Sequence, residues 1–166
     1  MVTVPRKLPK LVVFDLDHTV WQLHVDKLMF PFKIEKGKIV DCRGRECLLF
    51  PDVPAILSWL EEKNIQVGLA SRITNIAGAC LLLNLFNIRH HFWPVEVYPT
   101  SKVLHFDQIR KKTELDYSDM LFFDDDKRNL RDLLRLELPC VHVPKGLKFD
   151  EFLEAMTDAN RQFKDG

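Results

Sequence analysis

Only six glycines are spread through the 166 residues, and none falls in a Gly-rich phosphate loop. That argues against a dinucleotide-binding or P-loop protein, whose backbone must approach a pyrophosphate closely. Net charge is missing too. Lys and Arg total 24, as do Asp and Glu, so no overall field draws the chain to nucleic acid or an anionic membrane. Any anion recognition must therefore be local. The four cysteines, Cys42, Cys47, Cys80 and Cys140, form no Cys-x-x-Cys pair and no zinc-type cluster, which predicts reduced, structural thiols. A Cys42–Cys47 disulfide is conceivable, with nothing in the sequence to support it. No apolar run is long enough to cross a bilayer. The first ten residues, Met1 to Lys10, carry two prolines and lead into an apolar run broken by Asp15, unlike a secretory signal. A soluble, intracellular, cytoplasmic monomer is the expectation.

What is present is ample apolar material. At 46% hydrophobic residues, a chain of this length can bury a core of its own, and a single domain over residues 1–166 is expected. Leu11 to Phe14 is a short, continuous apolar run, and similar runs recur at Ile65 to Ala70, Met120 to Phe123 and Cys140 to Val143. Such runs read as buried strands of a parallel sheet. Between them lie helical patterns at Pro54 to Lys63 after an Asp52 cap, Thr74 to Leu85, Lys102 to Thr113, Asn129 to Leu136 and Phe149 to Phe163. Alternation of this kind predicts an α/β fold, a parallel sheet flanked by helices. Phe32 to Phe50 breaks the alternation, with candidate turns at Lys36-Gly37 and Arg43-Gly44, and reads as a β-hairpin flap within residues 22–50. Glu96 to Tyr98 reads as one more short strand.

In open α/β sheets, ligands bind beyond the carboxyl ends of the strands. Polar residues just after apolar runs are therefore the candidates. Asp15 and Asp17 follow the first run, with Thr19 close behind; two residues apart in extended chain, the carboxylates project to the same side. The pair also reads as a solvated turn with a helix cap. Ser71-Arg72 follows the second run; the serine can donate to an anion or serve as an ordinary turn residue. Lys102 opens a predicted helix, where a cation opposes the dipole. Asp124-Asp125-Asp126 follows the Met120 run. Three successive carboxylates repel one another, which invites a cation, although acidic residues also favour the first turn of a helix.

Taken together, these segments resemble the haloacid dehalogenase superfamily of aspartate-nucleophile phosphatases, specifically its magnesium-dependent phosphatase branch, which is related to protein-tyrosine phosphatase activity. VVFDLDHTVW at Val12 to Trp21 resembles the first motif, ASR at Ala70 to Arg72 the second, VYPTSK at Val97 to Lys102 the lysine motif, and FFDDDKRN at Phe122 to Asn129 the fourth. The resemblance implies a three-layer, Rossmann-like fold and a Mg²⁺-dependent phosphomonoester hydrolase. It implies Asp15 as nucleophile and metal ligand, and Asp17 as general acid and base that also offers its backbone carbonyl to the metal. It further implies Asp125 as metal ligand with Asp124 as its partner, and Ser71, Lys102 and the amides of Leu16 and Asp17 as the phosphate cradle, with Thr19 supporting. Arg72 would face the substrate. The departures from the branch pattern are His18 for a tyrosine, Val20 for a leucine, Ile73 for a threonine and Asp126 for a glutamate. His18 is expected to pack near the loop.

The stretches Trp21 to Phe50 and Ile73 to Tyr98 are too short for an extra folded domain, so no cap is expected over the site. An open site suits a phosphotyrosine side chain or a sugar phosphate attached to an amine. A receiver-type signalling domain uses similar residues with its lysine last, whereas here the acidic run follows Lys102. A non-catalytic phosphate- or protein-binding module is the other alternative. It has no need of both Asp15 and Asp17.

Overall fold

The computed structural model describes residues 8–158. Its sheet has five strands, β1 (Leu11–Phe14), β4 (Gln66–Ser71), β5 (Phe92–Val97), β6 (Met120–Asp124) and β7 (Cys140–His142), all parallel in the order β5-β4-β1-β6-β7. Two further strands, β2 (Lys33–Glu35) and β3 (Lys38–Val40), form a separate antiparallel hairpin. The helices are α1 (Val53–Glu62), α2 (Ile76–Leu85), α3 (Lys102–Thr113), α4 (Lys127–Leu134) and α5 (Phe149–Thr157).

Side chains alternate faces along a strand, so each central strand feeds two cores. Val12, Phe14, Leu121 and Phe123 pack into the layer that also holds Ile56, Leu57, Leu82 and Phe152 of α1, α2 and α5. Leu11, Val13, Met120 and Phe122 point the other way, toward Phe106 and Ile109 of α3 and Leu130 and Leu133 of α4. Both faces of the strands are thus covered, which explains why their sequences read as unbroken apolar runs. The three layers agree with the expected fold. Residues 22–50 and 73–98 carry the flap, α1's approach, α2 and β5, with no inserted cap domain among the described residues.

Several boundaries differ from expectation, each for a local reason. β5 begins at Phe92, four residues before the expected Glu96, and contains Pro94. A proline lacks the N–H a central strand needs, but β5 pairs only with β4 and lies at the sheet edge, where the missing donor costs little. α4 begins at Lys127 because the Asp126 side chain caps it, accepting from the Arg128 amide at 2.9 Å. α2 starts after Asn75, which accepts from the Gly78 amide at 2.9 Å. Asp52 precedes α1 as expected but makes no side-chain cap there; its Oδ2 instead accepts from the Phe149 amide at 2.8 Å, tying the start of α5 to α1. The expected end of α5 at Phe163 lies outside the described residues. The four cysteines are all free thiols, including Cys42 and Cys47.

The flap hairpin turns at Lys36 (φ 52) and Gly37 (φ 79). Two successive positive φ values match the twist of the flanking strands, and the glycine makes the second inexpensive. The Arg43-Gly44 turn is also present, with Gly44 at φ 82.

Candidate active site

The strand order decides which polar residues meet. β1 lies between β4 and β6, so the residues ending these three strands converge: Asp15, Ser71 and Asp124. Asp15 is held against the sheet by its amide, which donates to the Phe123 carbonyl at 3.1 Å. Its carboxylate is nearly buried and fully engaged. Ser71 Oγ donates to Oδ1 at 3.2 Å, Lys102 Nζ to the same oxygen at 2.8 Å, and Thr19 Oγ1 to Oδ2 at 3.2 Å.

Lys102 opens α3, where Ser101 caps the helix by accepting from the Val103 amide. The residue is 2% exposed, and a helix start is not where a cation gains from the dipole. The compensation is direct. Nζ also donates to the Ala70 carbonyl and stands 3.5 Å from Asp124 Oδ2. Burial opposes the charge, but Asp15 and then Asp124 outweigh it and raise the lysine's pKa. One turn along α3, His105 stacks on Tyr98 and donates from Nε2 to the Tyr98 carbonyl at 2.9 Å. Burial and then the positive charge of Lys102 hold this imidazole down at about 4, so it is neutral.

The acidic run divides its labour. Asp126 caps α4. Asp124 is fully buried, with Oδ1 accepting from the Asp126 amide and Oδ2 from Asn129 Nδ2, both at 3.0 Å. Asp125 turns toward Asp15: its amide donates to Thr19 Oγ1 at 3.2 Å, and its carbonyl accepts from His142 Nε2 at 2.9 Å. One oxygen from each of Asp15, Asp124 and Asp125 lies within 4.8 Å of the others. Burial, and then the charge of Asp15, raises the pKa of both Asp124 and Asp125 above the ordinary carboxylate range. An oxygen-only set whose members repel one another is a donor set for a hard divalent cation such as Mg²⁺.

Asp17 stands apart from this cluster. Its Oδ1 accepts from Trp21 Nε1 at 2.8 Å and from the Val25 amide at 3.2 Å. Burial raises its pKa, against the lowering effect of those two donors. The cleft above the cluster has a volume of about 610 Å³ and is lined by Asp15, Asp17, Ser71 and Lys102, with Arg72, His18 and His24 among the residues around them. His18 is exposed and not packed near the loop as expected. Its backbone sits at φ 59 and its ring lies 6.3 Å from that of His24.

Of the site residues expected from the sequence, Asp15, Asp17, Ser71, Arg72, Lys102 and Asp125 line this cleft. Thr19 and Asp124 are fully buried and touch that lining, Thr19 through Asp15 and Asp124 through Lys102. Leu16 is buried too, and its carbonyl accepts the amides of Thr19, Val20 and Trp21 and so closes the turn. Four contributors were not singled out beforehand. Trp21 and Asn129 sit inside the motifs, which mark their place but not the bonds they make. His142 ends a strand, so the carboxyl-end rule could have reached it. His24 carries no local signal.

The acid phosphatase family matches residues 7–162. This chain belongs to that family. Human Magnesium-dependent phosphatase 1 is 38% identical over 152 residues, covering 90% of this chain and 86% of the human protein. A HAD-like hydrolase superfamily protein of Schizosaccharomyces pombe is 36% identical over 143 residues, covering 78% and 83%. Among solved structures, a HAD-superfamily hydrolase from Ehrlichia chaffeensis superposes with a TM-score of 0.64 at 12% identity, over 89% of this chain and 95% of that one. The fold is that of the haloacid dehalogenase superfamily, and the relatives place the chain in its magnesium-dependent phosphatase branch.

Proposed function

We propose that this chain hydrolyses phosphomonoesters through a phosphorylated Asp15, with Asp17 as acid and base. The observation that carries the reading is the setting of Asp15: a nearly buried carboxylate at the end of the central strand, in contact with Lys102 and Ser71 and two residues from a second, separately held carboxyl. An Asp15 oxygen would bond to phosphorus while the bond from phosphorus to the leaving oxygen breaks, and Asp17 would give that oxygen its proton. Water would then attack the same phosphorus. Asp17 takes the water's proton, the bond to Asp15 breaks, and inorganic phosphate leaves.

Two anions must approach each other in the first step, so cationic support is required. Lys102 and Ser71, with the amides of Leu16 and Asp17, would hold the phosphoryl oxygens. Mg²⁺, held by the carboxylates of Asp15 and Asp125 and by the backbone carbonyl of Asp17, would supply the remaining positive charge. Asp124, whose two oxygens already accept N–H groups, would orient rather than bind. Arg72 is exposed on the cleft wall and would meet the part of the substrate beyond the phosphate. With no cap among the described residues, the cleft suits a phosphotyrosine side chain or a sugar-amine phosphate.

Asp15→Asn keeps the side chain's volume and removes the nucleophile. Turnover of p-nitrophenyl phosphate in Mg²⁺ is expected to vanish while the circular dichroism spectrum stays unchanged; retained turnover would overturn the assignment. Wild-type protein that folds but turns over nothing at any Mg²⁺ concentration would be a binding module instead. A panel comparing kcat/KM for phosphotyrosine peptides and sugar-amine phosphates tests the substrate class.

A further inference from the structure

The two oxygens of Asp17 are not equivalent. Oδ1 receives the Trp21 indole N–H and the Val25 amide, and neither group can accept a hydrogen bond. A proton on Oδ1 would face two other protons. Oδ2 takes neither of these donors; it lies 3.8 Å from His24 Nδ1, and Asp17 is part of the cleft lining. A protonated Asp17 therefore carries its proton on Oδ2.

The donors themselves have little freedom. Trp21 is fully buried. Its amide donates to the Leu16 carbonyl, its own carbonyl accepts the His18 amide at 2.9 Å, and it bridges to Leu49, beyond the β2-β3 hairpin. Val25 begins a short 3-10 turn, Val25–Lys27, that is pinned from the far side. There the Asp26 carboxylate accepts the amides of Thr74 at 3.0 Å and Asn75 at 2.9 Å. Residues 21–27 thus form a strap from the turn after β1 to the loop after Ser71 and Arg72, and the strap holds Asp17 at its middle.

We infer that Trp21 is a positioning residue, whose indole N–H, with the Val25 amide, keeps the transferable proton on Asp17 Oδ2 and that oxygen aimed at the leaving group. This deepens the proposed reaction and rests on Asp17 being its acid. In the first step, the proton on Oδ2 passes to the leaving oxygen as the bond from phosphorus to that oxygen breaks and the bond to Asp15 forms. In the second, Oδ2 takes the proton of the attacking water. Throughout, Oδ1 keeps both donors, and those bonds strengthen when the carboxylate is charged.

A positioning role for an acid has a signature that a structural role lacks: it grows as the leaving group becomes less able to depart as an anion. Trp21→Phe keeps most of the buried ring and removes the donor. The loss of one hydrogen bond predicts a drop in kcat/KM on the order of tenfold for an alkyl phosphate, with a much smaller drop for p-nitrophenyl phosphate. Asp17→Asn is measured beside it on the same two substrates. If Asp17→Asn is selective for the alkyl phosphate but Trp21→Phe is not, the role of Trp21 is overturned and the acid stands. If Asp17→Asn lowers both substrates equally, the acid assignment fails and the inference falls with it. Should Trp21→Phe fold poorly, site-specific replacement of Trp21 by 3-benzothienylalanine keeps the bicyclic shape without the N–H, and must show the same selectivity.

Discussion

Lys102 shows how much a single buried residue can settle. Its ammonium donates to Asp15 and to the Ala70 carbonyl and stands 3.5 Å from Asp124, and its charge offsets the repulsion between two buried carboxylates. Replacement by methionine would fill the same volume and leave both carboxylates without a cation. Removing one partner of a buried pair costs about 3–5 kcal/mol, so Lys102→Met should lower the urea midpoint markedly when measured in EDTA. An unchanged midpoint would mean that the pairing contributes nothing net to the fold. From sequence, Lys102 was legible only as a cation in an unfavourable helix position; the groups it donates to lie 87 and 32 residues away. Asp15 was similar: on its own the Asp-x-Asp pair could equally be a turn, and only the matching motifs gave it a role. Trp21 stood within a recognised motif, yet nothing about a buried tryptophan announces that its N–H reaches a carboxylate four residues back.

The elements around the site have their own determinants, and the flap is the clearest case. Asp41 is fully buried behind the β2-β3 hairpin. It receives the amides of Met29 at 3.0 Å, Arg43 at 3.0 Å and Arg45 at 2.9 Å, plus Arg45 Nε at 2.8 Å. Burial alone would raise its pKa, but the four donors win and hold it at about 2. A depressed carboxyl stabilises the fold above its unfolded pKa near 3.8, and that contribution is lost as pH falls through the folded value. Asp41→Asn turns an amide NH₂ toward N–H donors, a cost of about 1–3 kcal/mol. Hydrogen exchange of the Met29, Arg43 and Arg45 amides should be faster in the variant at pH 5. The gap between the two proteins should close as pH drops toward about 2. Equal exchange at pH 5 would refute the anchoring role. The hairpin was readable because Lys36-Gly37 is a two-residue turn signal. Two other boundaries were not: Pro94 disguised the first half of an edge strand, and the Asp run hid that its third member caps α4.

At the scale of the whole molecule, the decisive fact is adjacency. Apolar runs reveal strands, but no periodicity says that β1 lies between β4 and β6, and the site exists only because it does. Asp15 from β1 and the Asp124-Asp125 pair at the end of β6 are brought together by hydrophobic packing that takes no account of their mutual repulsion. The folded state therefore carries an electrostatic cost that a cation would offset, whereas the unfolded chain, with these residues far apart, would gain little from the same ion. Such differential binding stabilises by mass action. At a hundred times its dissociation constant, Mg²⁺ would add about 2.7 kcal/mol, which for a domain of this size corresponds to a rise in Tm of about 5–10 °C. Melting curves in EDTA and in saturating Mg²⁺ measure this directly. Asp125→Asn should lose most of the increment while melting no lower than wild type in EDTA, since it removes one of the repelling charges. A wild-type Tm indifferent to Mg²⁺ would mean that Asp15 and Asp125 are not where the metal binds.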